Sequence, residues 1–174
     1  SLSAVGNYET GVSAPKEGVL LRLFDEFESV RCAKIEVKDP GPKYTRILKA
    51  TDGRMNISGA WGSSQSIEAY DRGIHALMPS GMPELFVNVY ELYHHGKRDK
   101  AMELFFAMLP VISFTRQSQP LNRYFHKLYF KRIGVFTEAV SREEVFFDEY
   151  HQRYAHDLIE YAIKLRDSIP SYWE

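Results

Sequence analysis

The sequence predicts an α/β fold for its first half and helices for its second. Three observations carry this. Short strand-like apolar runs recur near residues 30, 56 and 76, each separated from the next by a single helical segment, which is the pattern of parallel βαβ units. From Met82 onward the apolar residues keep helical spacing almost to the end. The 174 residues, 44% hydrophobic and 26% charged, suit one globular domain of ordinary size or a piece of a larger protein.

Each element follows from its residues. Gly18 to Glu28 sets Leu20, Leu23, Phe24 and Phe27 at helical spacing. "VRCAKIEV" is a strand, ended by Pro40-Gly41-Pro42. "KYTRILKAT" is a short amphipathic helix with Tyr44, Ile47 and Leu48 on one face. "RMNISGAWG" is a second strand, closed by Gly59 and Gly62. "SQSIEAYDRG" is a helix with Ser63 or Ser64 as its N-cap and Gly73 as its stop, and "IHALMPSG" is a third strand. "PELFVNVYELYHHG" starts a helix with Pro83 near its first position and stops it at Gly96. "KRDKAMELFFAMLPVISFTRQ" is a helix expected to bend or break at Pro110. "QPLNRYFHKLYFKRIG" faces Leu121, Phe125, Leu128 and Tyr129 to one side and stops at Gly134. A last helix is expected from about Arg142 to Asp167.

Composition removes several function classes. A net charge of −1 gives no overall pull toward nucleic acid or an anionic membrane. The single cysteine, Cys32, forms no internal disulfide, so a reducing, cytoplasmic setting is expected. The longest apolar run, Phe105 to Phe114, is too short to span a bilayer and contains Pro110. No charged segment followed by an apolar one opens the chain, so no secretion signal is expected, and the start at Ser1 reads as processed or internal to a longer parent.

Lys34 is the residue that calls for a function. It lies among Cys32, Ala33, Ile35 and Val37, three or four residues before the Pro-Gly turn. A lysine on a strand is ordinarily an exposed edge residue. The alternative is a Schiff-base lysine, which must be neutral to attack a carbonyl and which an apolar setting would help to neutralise. Asp148-x-x-His151 has the spacing of a metal-ligand pair, but no second such pair exists, and no metal or other cofactor is expected. His94 and His95 suit a helix C-terminus. Arg123 to Arg132 interleaves basic and aromatic residues, yet its apolar residues keep the spacing of a packed helix. Cys32 reads as a small core residue and Lys38 as a solvated loop lysine.

The order of these segments resembles the C-terminal portion of the dihydrodipicolinate synthase / N-acetylneuraminate lyase family of Schiff-base aldolases. "YETGVSAPKEGVLLRL" is similar to the family's T-G loop and the helix after strand five. "CAKIE" is similar to its G-I-K-E strand six, "NISGAWG" to the end of strand seven, and "RGIHALMPSG" to the G-A-x-G-x-I segment of strand eight. "GKRDKAMELFFAMLP" matches G-x4-A-x8-P, and Asn122, Lys127 and Gly134 match N-x4-K-x6-G. Arg142 sits where the family has R-x-P, with Glu144 in place of the proline.

The resemblance implies a partial (β/α)8 barrel, about strands six to eight, over residues 1–95, and a C-terminal helical subdomain over 96–174. A whole barrel needs about 250 residues, and the family's pyruvate-carboxylate loop after strand two has no counterpart here. It implies a lyase in which Lys34 forms a Schiff base with pyruvate or a sugar-derived 2-keto acid, with Gly59 and Met78 lining the pocket. It assigns no metal, nucleic acid or membrane, and implies a homo-oligomer or a missing N-terminal half; the chain alone is expected to be inactive. Two departures bear on activity. The family's proton-relay tyrosine falls at Ala4, with Tyr8 close but out of register. The arginine that holds an aspartate-semialdehyde carboxylate falls at Glu9. A catalytically degenerate scaffold is therefore one alternative. A helical-repeat interaction module is another, although its pattern does not recur at the required spacing. Three strands cut from a barrel are expected to expose Val30, Cys32, Ile57 and Leu77 on a bare face, which predicts association rather than a free monomer.

Overall fold

A computed structural model describes the backbone of residues 3–8 and the whole of residues 16–169. They fall into two compact units that divide after Met78.

The first unit is a parallel sheet with strands β1 (Ser3–Tyr8), β2 (Val30–Glu36), β3 (Asn56–Gly59) and β4 (Ala76–Leu77) in sequence order. Helices α1 (Glu17–Glu26), α2 (Gly41–Ala50) and α3 (Ser66–Asp71) are the crossovers. β1 adds a strand before the three that the apolar runs identify. Cα partners across the sheet run Gly6, Lys34, Ser58, Ala76 in one row, and Asn7, Ile35, Gly59, Leu77 in the next.

Which face of the sheet is covered follows from alternation. Ala33, Ile35 and Ile57 are buried, together with Leu20 and Phe24 of α1, Tyr44 and Ile47 of α2, and Ala69 of α3. Cys32, Lys34 and Glu36 alternate with them and are only partly buried. Val30 and Ile57, expected on the bare face, are instead buried, and Leu77 is half-buried. The uncovered face is largely polar: Ile57 and Leu77 fall in the rows of Ala33 and Ile35, the register shift that skips Arg31 takes Val30 out of the alternation of Cys32, Lys34 and Glu36, and of the four expected residues Cys32 alone stands on the uncovered face. Phe27, expected on the buried side of α1, lies just past the helix end and is exposed, because α1 stops at Glu26. Neither Ser63 nor Ser64 caps α3. Its N-cap is Gln65, and Ser63 belongs to a preceding 3₁₀ turn, Trp61–Ser63.

The second unit contains α4 (Pro83–His94), α5 (Arg98–Thr115), α6 (Gln119–Arg132) and α7 (Glu149–Ser168). α4 packs along α5, and α5, α6 and α7 pack on one another around Leu104, Met108, Phe125, Tyr129, Leu158 and Ala162. Compactness groups α4 with these helices, whereas the division expected after residue 95 counts a helix with the strand before it. α5 runs through Pro110 without the break that was one of the two expectations there. Pro110 and Phe106, whose carbonyl loses its donor, lie on the exposed side of α5, where water can serve that carbonyl. α7 begins at Glu149 rather than near Arg142, because Asp148 accepts the His151 N–H at 2.9 Å and so fixes the helix start.

The motif residues of this unit have structural tasks. Ser118 caps α6 by accepting the Leu121 N–H, and Gly134 takes φ +79° after its end. Lys127 donates to the Val140 carbonyl at 2.6 Å, tying down the segment between α6 and α7. Arg123, Lys131 and Arg132 pair with Glu143, Glu138 and Glu160, so the basic stripe of α6 is matched by carboxylates. His94 and His95 donate from Nδ1 to the carbonyls of Tyr90 and Glu91, as a helix C-terminus favours.

His126 is buried on α6, and its Nδ1 has no hydrogen-bond partner among the described residues. Burial pushes the imidazole down to about 4 from an ordinary 6.5. The unfolded chain then binds the extra proton between those values, so acid favours unfolding. The contribution of His126 to stability should be full above pH 6.5, fall by up to about 3 kcal/mol as pH drops toward 4, and level off below that. Urea melts of wild type and H126L at pH 7 and pH 4.5 check this. The variant should lose most of the difference, and an unchanged difference would assign the loss to other groups.

Candidate functional site

Lys34 sits on β2, between β1 and β3, two residues from the strand's carboxyl end. Strand alternation puts Lys34 and Glu36 on the same uncovered face, and their side chains meet, with Nζ 3.0 Å from Oε2. The lysine is 38% and the glutamate 17% exposed. The apolar surroundings that the sequence suggests belong to the other face, where Ala33 and Ile35 point. Lys34 itself has a carboxylate for a neighbour.

The second oxygen of Glu36 is also occupied. Oε1 accepts the Trp61 N–H at 3.4 Å. Trp61, Gly62 and Ser63 all take positive φ, at +60°, +64° and +54°. Two of these are not glycine, so the turn after β3 holds strained backbone. Gln65 pins it by donating from Nε2 to the Ala60 carbonyl at 3.1 Å and to the Tyr44 hydroxyl at 3.3 Å.

Gly59 and Met78 are linked by the sheet, the Met78 N–H donating to the Gly59 carbonyl at 2.9 Å. A Cβ on Gly59 would lie 2.5 Å from the Tyr44 hydroxyl and 2.8 Å from Leu77 Cδ2, so this position faces the helices and offers the uncovered face only its backbone. Met78 is 51% exposed, and its Sδ lies 3.9 Å from Ser58 Oγ. Ser58 is the register partner of Lys34 and so stands between the lysine and Met78. The structure thus brings Lys34, Glu36, Ser58 and Met78 to one surface. The sequence reading assigned no role to Glu36 and did not single out Ser58 or Trp61, although opposite charges two apart on a strand already mark the pair.

Tyr44 lies beneath this surface, fully buried, and burial above all pushes its phenol up to about 12. Ala4, the position of the family tyrosine, is in register with Cys32, and Tyr8 is in register with Glu36. Glu9, Thr10 and Gly11 lie outside the described residues. Lys38 lies beyond the strand end and is exposed. Asp148 and His151, 2.7 Å apart, form a helix cap rather than half of a metal site. Two concavities of about 400 and 500 Å³ lie among the C-terminal helices, and Lys34 lines neither.

No protein-family model matches the chain, and no curated protein does. Solved structures do. Dihydrodipicolinate synthase from Rhodopseudomonas palustris superposes with a TM-score of 0.82 at 21% identity, over 91% of this chain and 55% of that one. A sialic acid aldolase from Ruminococcus gnavus superposes with a TM-score of 0.81 at 14% identity, over 96% and 56%. The same aldolase, solved as a catalytic lysine mutant, gives 0.80 at 15%, over 96% and 55%. The chain therefore spans about half the length of these structures. The likeness is one of fold: a parallel sheet and C-terminal helices matching the C-terminal portion of a (β/α)8 barrel protein of this kind.

Proposed function

We propose that this chain, with the fold of the C-terminal portion of the dihydrodipicolinate synthases and sialic acid aldolases, carries the Schiff-base lysine of a lyase that acts on pyruvate or a sugar-derived 2-keto acid. The observation that carries the reading is the placement of Lys34. It stands on an inner strand of a parallel sheet, near the carboxyl end, on the face that the helices leave uncovered.

In this reading the Lys34 amine attacks the C2 carbonyl of the keto acid and water leaves. The resulting iminium draws electrons from the neighbouring carbon–carbon bond, allowing aldol cleavage, or condensation in reverse. Ser58, Met78 and the Gly59 backbone line the approach. An enzyme of this kind would work in the cytoplasm as a homo-oligomer or as part of a longer chain, with the carboxylate-binding loop supplied by strands not in this sequence. Glu9, where the family's arginine would hold it, repels the carboxylate of aspartate semialdehyde and so argues against that aldehyde as the second substrate. The second reading, a scaffold without chemistry, is favoured by Ala4, whose methyl group moves no proton.

One experiment separates the readings. Incubate the full-length protein with pyruvate and borohydride, then map the adduct by mass spectrometry. The lyase reading expects a reduced adduct on Lys34. An adduct on Lys38, or on no lysine, would leave the scaffold reading standing.

A further inference from the structure

We infer that Glu36 moves the protons of the Lys34 reaction, an inference that rests on the Schiff-base reading above. Four observations carry it. Glu36 Oε2 is 3.0 Å from Lys34 Nζ, so the carboxylate already touches the atom that must lose protons. Its other oxygen is held by the Trp61 N–H, from a turn whose three consecutive positive φ values commit that N–H to its place. The pair lies on the face a substrate would approach, with Glu36 only 17% exposed, so it is shielded more than a surface ion pair. Around Lys34, the register partners are Gly6 and Ser58, with Ala76 next in the row and Cys32 two residues back. None of these offers a carboxylate or imidazole.

The step balances with no other reactant. Lys34 starts as an ammonium and Glu36 as a carboxylate. Glu36 takes one proton, and the freed Nζ lone pair bonds to C2 as the carbonyl π pair moves to oxygen. Glu36 returns that proton to the oxygen, giving a protonated carbinolamine. It then takes a second proton from Nζ and delivers it to the hydroxyl. The C–O bond breaks, water leaves with the two protons that began on Nζ, and the nitrogen lone pair closes the C=N bond. One proton stays on the iminium nitrogen, and Glu36 ends as a carboxylate, ready for the next cycle.

The mechanism has a pH signature. The reactive state holds one transferable proton shared by Lys34 and Glu36, and its population does not change across neutral pH. Without the carboxylate, only lysine that is already neutral reacts, so the rate rises with pH. Other titratable groups stand on the surrounding elements: Cys32 on β2, Tyr8 on β1 by register, Tyr44 on α2, Glu68 on α3, and His75 before β4, whose Nδ1 accepts the Ile57 N–H. Lys38 follows β2. All are present in both wild type and variant, so a comparison cancels their titration.

The test uses the full-length protein with pyruvate as the probe and cyanoborohydride as the trap, and follows the rate of adduct formation on Lys34 from pH 6 to 10. Wild type should be nearly flat from pH 7 to 9. E36Q keeps the shape and the acceptor for Trp61. It should be about 100-fold slower at pH 7, climb with pH, and approach wild type near pH 9. E36A should regain rate at pH 7 with added formate, which guards against a variant that merely distorts the site. An E36Q rate and profile equal to wild type would overturn the inference. So would an E36Q that is equally slow at every pH together with an E36A that formate does not rescue, since that marks a structural role. No adduct on Lys34 in wild type at any pH overturns the Schiff-base reading itself and the inference with it.

Discussion

Replacing Lys34 by arginine should reduce keto-acid turnover of the full-length protein by about four orders of magnitude or more while leaving its thermal melt nearly unchanged. The guanidinium keeps the positive charge and the contact with Glu36, but it stays protonated and does not attack a carbonyl. The structural cost is small for two reasons. The lysine is 38% exposed, so no core packing depends on it, and arginine leaves the Glu36 carboxylate with a cationic partner. K38R serves as the matched control and should keep normal turnover. Turnover by K34R within tenfold of wild type would end the covalent reading. A loss of activity accompanied by a large fall in melting temperature would place Lys34 in the scaffold instead.

The part of the fold that a period reveals was legible, and the part that depends on a partner was not. β2 to β4 and their helices show in the alternation of apolar runs with amphipathic segments, and α4 to α6 show in their helical spacing and their Pro and Gly boundaries. β1 was harder because "SAVGNY" is short and contains Gly6 and Asn7, so its strand character comes from pairing with β2 rather than from its own residues. The start of α7 was misplaced because a capping aspartate resembles any other acidic residue until its side chain is seen on the His151 N–H. Pro110 failed as a breaker because its cost falls on an exposed carbonyl. The burial of Val30 depends on a register shift at Arg31 that only pairing with β1 reveals, and Ile57 was misread for a subtler reason. A parallel strand is expected to be apolar on both faces, so the sequence invites no choice of parity. Yet β2 does alternate, with Ala33 and Ile35 set against Lys34 and Glu36, and that alternation already separates a covered face from an uncovered one. Lys34 was legible as an anomaly, whereas its ion pair required side-chain reach and its support from Trp61 required a turn with positive φ.

Gly59→Ala should destabilise the first unit by about 3 kcal/mol, and the way it does so can be dissected. Alanine in a strand ordinarily gains about 0.5–1 kcal/mol over glycine by restricting the unfolded chain. Here the new methyl would stand 2.5 Å from the Tyr44 hydroxyl, 2.8 Å from Leu77 Cδ2 and 3.3 Å from Ile74 Cδ1. Leu77 is only half-buried and its methyl can swing aside. Tyr44 has no such freedom, because it is fully buried, its hydroxyl receives Gln65 Nε2 at 3.3 Å and reaches the Ile35 carbonyl at 3.5 Å. The clash therefore falls on Tyr44 and outweighs the entropy gain. Because Ile35 lies between Lys34 and Glu36, a shift of Tyr44 also disturbs the strand that carries the ion pair. A double-mutant cycle locates the strain. Y44F alone should cost about 1 kcal/mol, since it removes a buried hydroxyl that joins Gln65 to the Ile35 carbonyl of β2. In the G59A background the same change should stabilise, because it deletes the atom in collision, giving a favourable coupling of about 1–2 kcal/mol. Urea melts of the four proteins measure it. Additive costs would show that the glycine is required for some reason other than the approach of Tyr44.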